Sequence, residues 1–187
     1  LVQLDTQEAE RAITGLIAKG AESVGICLLW SISNDKHEKF LAEIIKQHDP
    51  SIYISLSSHV APFLGEYERT ATTAFNAYIG PKIAAYLEKL DAALRDQGLK
   101  REPLIMQSYG GVLGIKDTCK NAVGTIESGP ASGVLGSLFI AKRMGISNIL
   151  ATDMGGTTFK VSVIRDGVVE KDYKPIILRY QIYLTKI

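Results

Sequence analysis

The segment from Ile149 to Gly167, ILATDMGGTTFKVSVIRDG, holds the residues of this chain that are best suited to chemistry. An apolar run leads into an acid, two glycines and two threonines, and a second apolar run follows. Glycines allow a tight turn and leave backbone N–H groups open to an anion, because no Cβ shields them. A carboxylate beside a phosphate is a suitable oxygen ligand for Mg²⁺. The pattern therefore predicts a turn that binds a nucleotide and its metal ion through Asp153, Gly155, Gly156, Thr157 and Thr158.

A second interpretation stays open for the same turn. Two apolar strands joined by a short, glycine-containing connection also describe an ordinary β-hairpin, in which the glycines only form the turn. Both interpretations place residues 153–158 between adjacent antiparallel strands. They differ in function and agree in local structure.

A helix is predicted upstream of this turn, in the sequence ESGPASGVLGSLFIAKRMG that starts at Glu127. Pro130 suits its first turn and Gly145 suits its C-terminal end. Because a helix N-terminus offers free N–H groups and a positive dipole end, Ser128 and Gly129 are candidates for contact with phosphate. We expect this helix to begin close to the turn. The alternative is a core helix without a ligand, whose small residues allow close packing: Gly133, Gly136, Ser137 and Ala141.

The order of small-residue helix, short turn, strand, DxGGT and strand resembles the actin, sugar kinase and heat-shock chaperone ATPase superfamily. Within it, the chain is similar to the family of hydantoinase A, 5-oxoprolinase and the acetone and acetophenone carboxylase subunits. Four separated blocks carry this closer resemblance: EYERTATTAFNAYIGPKIAAYL from Glu66, IMQSYGGV from Ile105, TIESGPASGV from Thr125 and DMGGTT from Asp153.

The resemblance implies an α/β fold of the actin-like, ribonuclease H-like ATPase class, with mixed sheets covered by helices. It places residues 1–60 at the end of an N-terminal hydantoinase/oxoprolinase-type domain and residues 61–187 at the start of a second nucleotide-clasping domain. Family members are several times longer and begin with another DxGGT turn, so we expect the chain to be an internal fragment. Such a fragment would be inactive by itself.

The activity that the resemblance implies is ATP-dependent activation of a cyclic amide or imide, whose carbonyl oxygen is phosphorylated before water attacks the carbon. Asp153 is then the catalytic carboxylate and a ligand of Mg²⁺, and the helix start at Ser128 and Gly129 borders the ATP phosphates. The implied partner is a hydantoinase B-type subunit or domain. Three alternatives stay open: a ketone carboxylase subunit, a sugar or acyl kinase, and a nonenzymatic actin-like or chaperone-like ATPase switch. The blocks that begin at Glu66 and Ile105 count against a kinase.

One residue departs from the family pattern. Relatives usually have an acidic residue shortly after the phosphate turn, whereas this chain has Lys160. Its ammonium could pair with a phosphate, could point away from the site, or could mark a loss of turnover. The sequence does not choose among these three consequences.

Composition argues against several classes of partner. The chain of 187 residues is 46% hydrophobic and 22% charged, and its net charge of +1 gives no electrostatic case for nucleic acid or an anionic membrane. No apolar run approaches about 20 residues and no secretory signal is present, so we expect neither membrane insertion nor export. Cys27 and Cys119 lack metal-ligand neighbours, and we interpret both as free thiols of a cytoplasmic protein.

The first part of the chain alternates predicted helices with apolar strands. This alternation is typical of a parallel or mixed sheet covered by helices. The predicted elements are a helix over Thr6–Lys19, a strand over Ser23–Leu29, a helix over Lys36–Gln47 and a strand over Ser51–Leu56.

A helical pattern of about thirty residues starts at Glu66, and Gly80-Pro81 interrupts it, which predicts two helices or one kinked helix. Its apolar stripe consists of Ala71, Phe75, Tyr78, Tyr86, Leu87, Leu90 and Leu94. The polar residues between them either form a solvated face or contribute to a domain interface or cleft: Arg69, Thr72, Thr73 and Asn76.

A strand is predicted from Pro103 to Ser108, before a glycine turn. Gln107 and Ser108 are cleft candidates, although a structural role is favoured for both. The three histidines show no metal-ligand spacing and are interpreted as surface residues: His37, His48 and His59.

Overall fold

The structure is a computed structural model that describes residues 3–187. Its first unit consists of α1 (Thr6–Ala18), β1 (Ser23–Ile26), α2 (Lys36–His48) and β2 (Tyr53–Leu56). β1 and β2 pair in parallel over their full lengths. The predicted alternation of helices and parallel strands is confirmed.

Apolar side chains of the two helices and two strands bury one another and form the first core. Each buried isoleucine contributes roughly 1.5–3 kcal/mol relative to an exposed one. The Asp5 carboxylate fixes the start of α1, because its Oδ1 accepts hydrogen bonds from the N–H groups of Gln7 and Glu8 at 3.0 and 3.1 Å. The core residues are Ile13, Ile26, Ala42, Ile44, Ile45 and Ile52.

A long helix crosses the parallel strands. After α3 (Ser57–Val60), the chain enters α4 (Glu66–Asp96), which has 31 residues and includes Pro81 in its interior. The structure thus forms one helix where Gly80-Pro81 also allowed two. Close packing explains why residue 80 is a glycine, since a Cβ at this position would overlap the ring of Tyr53. The glycine lets α4 lie directly against β2.

The middle of the chain, between α4 and the last strands, forms two short strands, two helices and a 3₁₀ turn. In order, it forms β3 (Leu104–Met106), β4 (Val112–Gly114), α5 (Ile115–Lys120), a 3₁₀ turn (Ala122–Thr125) and α6 (Ser128–Met144). β3 and β4 are antiparallel, and α5 and the 3₁₀ turn pack on α4. α6 ends as predicted at Gly145, whose φ of 70° lies in the left-handed region that favours glycine.

The last part of the chain contains β5 (Ile149–Met154), β6 (Phe159–Arg165), β7 (Val168–Val169), β8 (Ile176–Ile177) and β9 (Tyr180–Gln181). β5, β6 and β7 form an antiparallel sheet that packs against α6, and β8 and β9 form a separate hairpin. A second core joins this region to the long helix and contains Val60, Val123, Ile182 and Leu184. Among the helices of residues 3–187, none has both the length and the apolar character that a membrane crossing requires.

Candidate functional site

The predicted turn at residues 153–158 joins two adjacent antiparallel strands. β5 and β6 pair from Ile149 opposite Ile164 to Met154 opposite Phe159. The loop between them is closed by the Gly155 N–H, which donates to the Thr158 carbonyl at 2.9 Å. The predicted hairpin is therefore confirmed, and Asp153 lies in β5 next to the turn.

The tip of this hairpin is open. Asp153, Gly155, Gly156, Thr157 and Thr158 are all exposed. Neither glycine has a positive φ. A Cβ at Gly156 would meet nothing within 4 Å, and one at Gly155 would make only ordinary contacts with the carbonyl and hydroxyl oxygens of Thr158. The two glycines are thus not required by the geometry of the turn, which weakens the interpretation that they only form it and leaves their backbone open to a ligand.

The start of α6 lies beside the part of the hairpin next to the turn, as predicted. A narrow cleft of about 30 Å³ separates them, and Pro130 from α6 and Asp153 and Lys160 from the strands line it. The space admits about one water molecule and no nucleotide. Ser128 is half-buried and Gly129 is exposed. A phosphate that contacts both the hairpin tip and this helix start would therefore lie over the cleft and not inside it.

Gly133 and Gly136 of α6 make no close packing contact with another element within residues 3–187. A Cβ at Gly133 or at Gly136 would meet nothing within 4 Å there. Ala141 is the member of this group that is buried. The alternative of a closely packed core helix is therefore not supported for the glycine face.

Lys160 points toward the start of α6. Its Nζ lies 3.0 Å from Oε1 of Glu127, and Lys186 pairs with the other oxygen of the same carboxylate. The hydrogen bond from Lys186 lowers the pKa of Glu127 most, the bond from Lys160 lowers it further, and partial burial opposes both. In the structure a carboxylate of the protein holds the Lys160 side chain, an arrangement that was not among the three consequences left open by the sequence.

Sequence reasoning did not identify Glu127 or Lys186 as functional residues. Glu127 precedes α6 in a left-handed conformation with φ of 58°. A local signal did exist, since Glu127 directly precedes the Ser-Gly-Pro start of the helix. Its pairing with Lys160 could not be predicted, because 33 residues separate the two in the chain.

A second cluster of polar groups lies under α4, around a fully buried Arg69. Its guanidinium donates to the Leu28 carbonyl at 3.0 Å, to Ser57 Oγ at 2.6 Å and to the Glu66 carboxylate. Glu38, also fully buried, lies 4.0 Å from the guanidinium. These contacts connect the first α/β unit with the N-terminal end of the long helix.

Glu38 is held as a carboxylate by hydrogen bonds. It accepts from Ser57 Oγ at 2.6 Å and from the N–H groups of Leu28 and Ser58 at 2.9 and 3.0 Å. Burial acts to raise the pKa of Glu38, but these hydrogen bonds outweigh burial and lower it below the ordinary value. The Leu28 N–H and carbonyl both bind this cluster, which explains why β1 ends at Ile26 and not at the predicted Leu29.

Asn76 connects three parts of the structure. Its Nδ2 donates to Ser55 Oγ at 2.8 Å and to the Lys120 carbonyl at 3.0 Å, and its Oδ1 accepts from the Val123 N–H at 2.9 Å. Thr72 and Thr73 are buried beside it. The predicted apolar stripe of α4 is only partly buried, since Tyr78 and Tyr86 are exposed, whereas Leu87 is buried. The buried face is polar because β1, β2 and the 3₁₀ turn supply its hydrogen-bond partners.

Gln107 and Ser108 are buried in structural positions. Ser108 donates from its N–H to the Gly124 carbonyl at 2.7 Å and from its Oγ to the Thr185 carbonyl at 3.2 Å. Gln107 Nε2 donates to the Ile105 carbonyl at 3.0 Å. These contacts support the favoured structural role over a cleft role.

The part of the chain that the structure describes contains no group of three or more His, Cys, Asp or Glu side chains able to hold a metal ion. A metal ion at the hairpin tip would thus have one protein carboxylate, from Asp153, and oxygen ligands of other kinds. That donor set fits Mg²⁺, which proteins often bind through one or two carboxylates together with phosphate oxygens and water.

Comparison with protein families identifies this architecture. The model described as Hydantoinase/oxoprolinase matches residues 69–187, and the model described as Hydantoinase/oxoprolinase N-terminal region matches residues 1–49. The chain belongs to the hydantoinase/oxoprolinase family. The resemblance drawn from the four sequence blocks is thereby confirmed.

Individual members of the hydantoinase/oxoprolinase family are similar over nearly the whole chain. Caprolactamase subunit alpha from Pseudomonas jessenii is 32% identical over 179 residues, which cover 96% of this chain and 26% of that protein. A nucleotide-free acetone carboxylase structure superposes with a TM-score of 0.89 at 29% identity, and the crystal structure of ATP-dependent caprolactamase from P. jessenii with a TM-score of 0.86 at 31% identity. Both superpositions cover 100% of this chain and about a quarter of the other. The predicted ATPase-like α/β fold is confirmed.

Proposed function

We propose that this chain is part of an ATP-dependent hydrolase that activates a cyclic amide or imide by phosphorylation. The observation that carries the proposal is the open DxGGT hairpin, which stands beside a helix N-terminus in a member of the hydantoinase/oxoprolinase family. The similar caprolactamase is named as ATP-dependent, and it acts on a cyclic amide. The chain spans about a quarter of that protein's length, so other parts of the full-length protein would complete the site.

Asp153 would hold Mg²⁺ through its carboxylate, since it is the acid at the tip-proximal end of β5 and is exposed. The Thr157 and Thr158 hydroxyls and the backbone of Gly155 and Gly156 would contact phosphate oxygens. When bound, ATP would supply the phosphoryl group that turns the amide oxygen into a leaving group. These residues therefore act by positioning and by stabilising charge, which is the main source of catalysis in phosphoryl transfer.

The N-terminus of α6 would also favour the binding of phosphate. Ser128 and Gly129 form the first residues of α6, where unpaired N–H groups and the helix dipole favour negative charge by about 0.3–1 kcal/mol at an exposed site. A phosphate lying over the cleft would be within the field of both the helix and the hairpin. We assign Ser128 and Gly129 to the border of the phosphate site.

The proposal also covers the domains, the partner subunit and the compartment of the full-length protein. Residues 1–60 would complete an N-terminal domain and residues 61–187 would begin a second domain that clasps the nucleotide. Because the similar caprolactamase chain is named as a subunit, we propose a hydantoinase B-type partner subunit or domain. The free thiols of Cys27 and Cys119 suit a reducing, cytoplasmic compartment.

A second candidate is a ketone carboxylase subunit, in which the same phosphorylation activates a ketone or bicarbonate. The superposition on acetone carboxylase favours it, with a TM-score of 0.89. The hairpin and the helix start are common to both candidates, so the substrate must be decided by assay.

The deciding experiment measures ADP release by the full-length protein with its partner subunit. Caprolactam and 5-oxoproline are offered as cyclic amides, and acetone with bicarbonate is offered as the carboxylase substrate. We expect release that depends on a cyclic amide and falls by roughly 10²-fold or more in Asp153→Asn. Asp166→Asn is the matched control, because Asp166 lies exposed just beyond the far end of β6, away from the hairpin tip. Equal activity of the two variants would remove Asp153 from the site, and release that depends only on acetone and bicarbonate would favour the carboxylase.

A further inference from the structure

Asp153 and Lys160 lie directly opposite each other in the β5–β6 register. Directly opposed residues of an antiparallel pair have their side chains on the same face, with Cβ atoms about 4.5–5.5 Å apart. Both residues line the cleft under α6. The long side chain of Lys160 could therefore reach the Asp153 carboxylate, and an opposite-charge pair across two strands is favourable.

The Lys160 ammonium is nevertheless directed elsewhere. Its Nζ lies 3.0 Å from Glu127 Oε1, and within residues 3–187 its ion pair is with Glu127 and not with Asp153. The pair is partly shielded from water, with side-chain exposures of 34% and 29%. Such an ion pair is screened less than one at the open surface.

Glu127 has a left-handed backbone conformation directly before α6. Its φ of 58° and ψ of 23° lie in the left-handed region, which costs a residue with a Cβ roughly 1–2 kcal/mol. Glycine would occupy the position at lower cost. The glutamate instead places its carboxylate between Lys160 from β6 and Lys186 near the end of the chain, so that two ammonium groups hold one acid.

We propose that Glu127 is a positioning residue that keeps the Lys160 ammonium away from Asp153, so that the Asp153 carboxylate stays available to a divalent cation. The inference rests on the proposed function, in which Asp153 binds the Mg²⁺ of the nucleotide. A carboxylate that is already paired with an ammonium must lose that pair before it coordinates a metal ion. Glu127 offers Lys160 a better-placed partner, and Lys186 keeps the Glu127 carboxylate in place.

This arrangement also explains how the chain accommodates a lysine directly opposite Asp153. A lysine opposite a metal-binding aspartate would weaken the site if it were free to pair across the strands. Its pairing with Glu127 places the positive charge near the helix start, where it is compensated. A lysine at position 160 is then compatible with metal binding by Asp153.

The test is a double-variant cycle on the affinity of the full-length protein for Mg²⁺-ADP, measured by calorimetry. We expect Glu127→Gln to weaken binding at least tenfold, because the released ammonium pairs with Asp153. Lys160→Met should bind at least as tightly as the unaltered protein. The double variant should recover the affinity of Lys160→Met, since it contains no ammonium to compete.

Two results would overturn the inference. One is a loss of affinity on Glu127→Gln that is equally large in the Lys160→Met background, since that would indicate a structural role of Glu127 alone. The other is unchanged affinity in Glu127→Gln. If the unaltered protein does not bind Mg²⁺-ADP at all, the proposed function fails and the inference fails with it.

A readout without nucleotide separates the two proposals. In a crystal structure of the nucleotide-free Glu127→Gln protein, we expect Lys160 Nζ within 4 Å of an Asp153 carboxylate oxygen. If Lys160 instead stays hydrogen-bonded to the substituted amide side chain, the inference is overturned and the proposed function is unaffected.

Discussion

Asn76 uses both polar atoms of its side chain inside the protein, and each connects α4 to a different element. The Val123 N–H and the Lys120 carbonyl that it binds belong to backbone without a helical or strand partner at these atoms. Leaving such a buried group unpaired costs about 1–3 kcal/mol. The contribution of Asn76 to stability therefore comes mainly from the partners that its loss would leave unsatisfied.

We expect Asn76→Ala to lower the free energy of unfolding by roughly 2–4 kcal/mol, since it leaves at least two buried backbone groups without partners. Urea denaturation of the chain measures this change. Tyr78→Ala is the control on the same helix, two residues further along. Its side chain is 77% exposed, and we expect a change below about 1 kcal/mol. If Tyr78→Ala lowered the free energy of unfolding more than Asn76→Ala, the apolar stripe and not the polar residues would be the face of α4 that stabilises the protein.

The buried face of α4 shows why residue-scale prediction failed there. Helical periodicity locates a core when the core is apolar. Arg69 and Asn76 are buried because Ser55, Ser57 and the Leu28 carbonyl accept hydrogen bonds from them, and these partners come from other elements. The sequence pattern of the helix that starts at Glu66 therefore could not predict that these polar residues are buried.

At the scale of elements, the sequence allowed the hairpin and α6 to be predicted because their signals are local. The apolar runs on both sides of residues 153–158 specify two strands, and Pro130 and Gly145 mark the helix ends. The direction of Lys160 could not be predicted, because its partner lies in another element. Local geometry was predictable from the sequence, and contacts between distant segments were not.

A glycine substitution tests whether the hairpin is more than a turn. Gly156→Ala should leave stability within about 1 kcal/mol of the unaltered protein, because the position is open and has no positive φ. We expect the same variant to bind Mg²⁺-ATP at least tenfold more weakly, since its Cβ occupies the space of an approaching phosphate. Thermal unfolding and calorimetry measure the two effects.

Gly145→Ala provides the opposite control for this prediction. Gly145 adopts a φ of 70° at the end of α6, so alanine should destabilise the protein by about 1 kcal/mol and leave nucleotide affinity unchanged. If Gly156→Ala keeps full affinity, the glycines serve an ordinary hairpin and the phosphate site lies elsewhere.

At the scale of the whole molecule, the proposed phosphate site is an open surface of the described residues and not a pocket. The candidate residues at the hairpin tip are exposed, and the cleft beneath them has a volume of only about 30 Å³. Phosphoryl transfer requires groups placed around the reacting phosphate and protection from water. In the proposed function, residues 3–187 therefore supply a surface on which the nucleotide would rest, and these residues do not enclose it.

From this geometry we expect the 187-residue chain, purified alone, to fold at least partly and to lack ATP hydrolysis at an enzymatic rate. Its two hydrophobic cores support folding, whereas the exposed hairpin should bind Mg²⁺-ATP with a dissociation constant of about 1 mM or weaker, equivalent to about 4 kcal/mol. Circular dichroism measures the folding, calorimetry measures the affinity for Mg²⁺-ATP, and a phosphate-release assay measures ATP hydrolysis. Robust hydrolysis by the chain alone, abolished in Asp153→Ala, would mean that residues 1–187 contain a complete site, and that the open hairpin closes around its ligand.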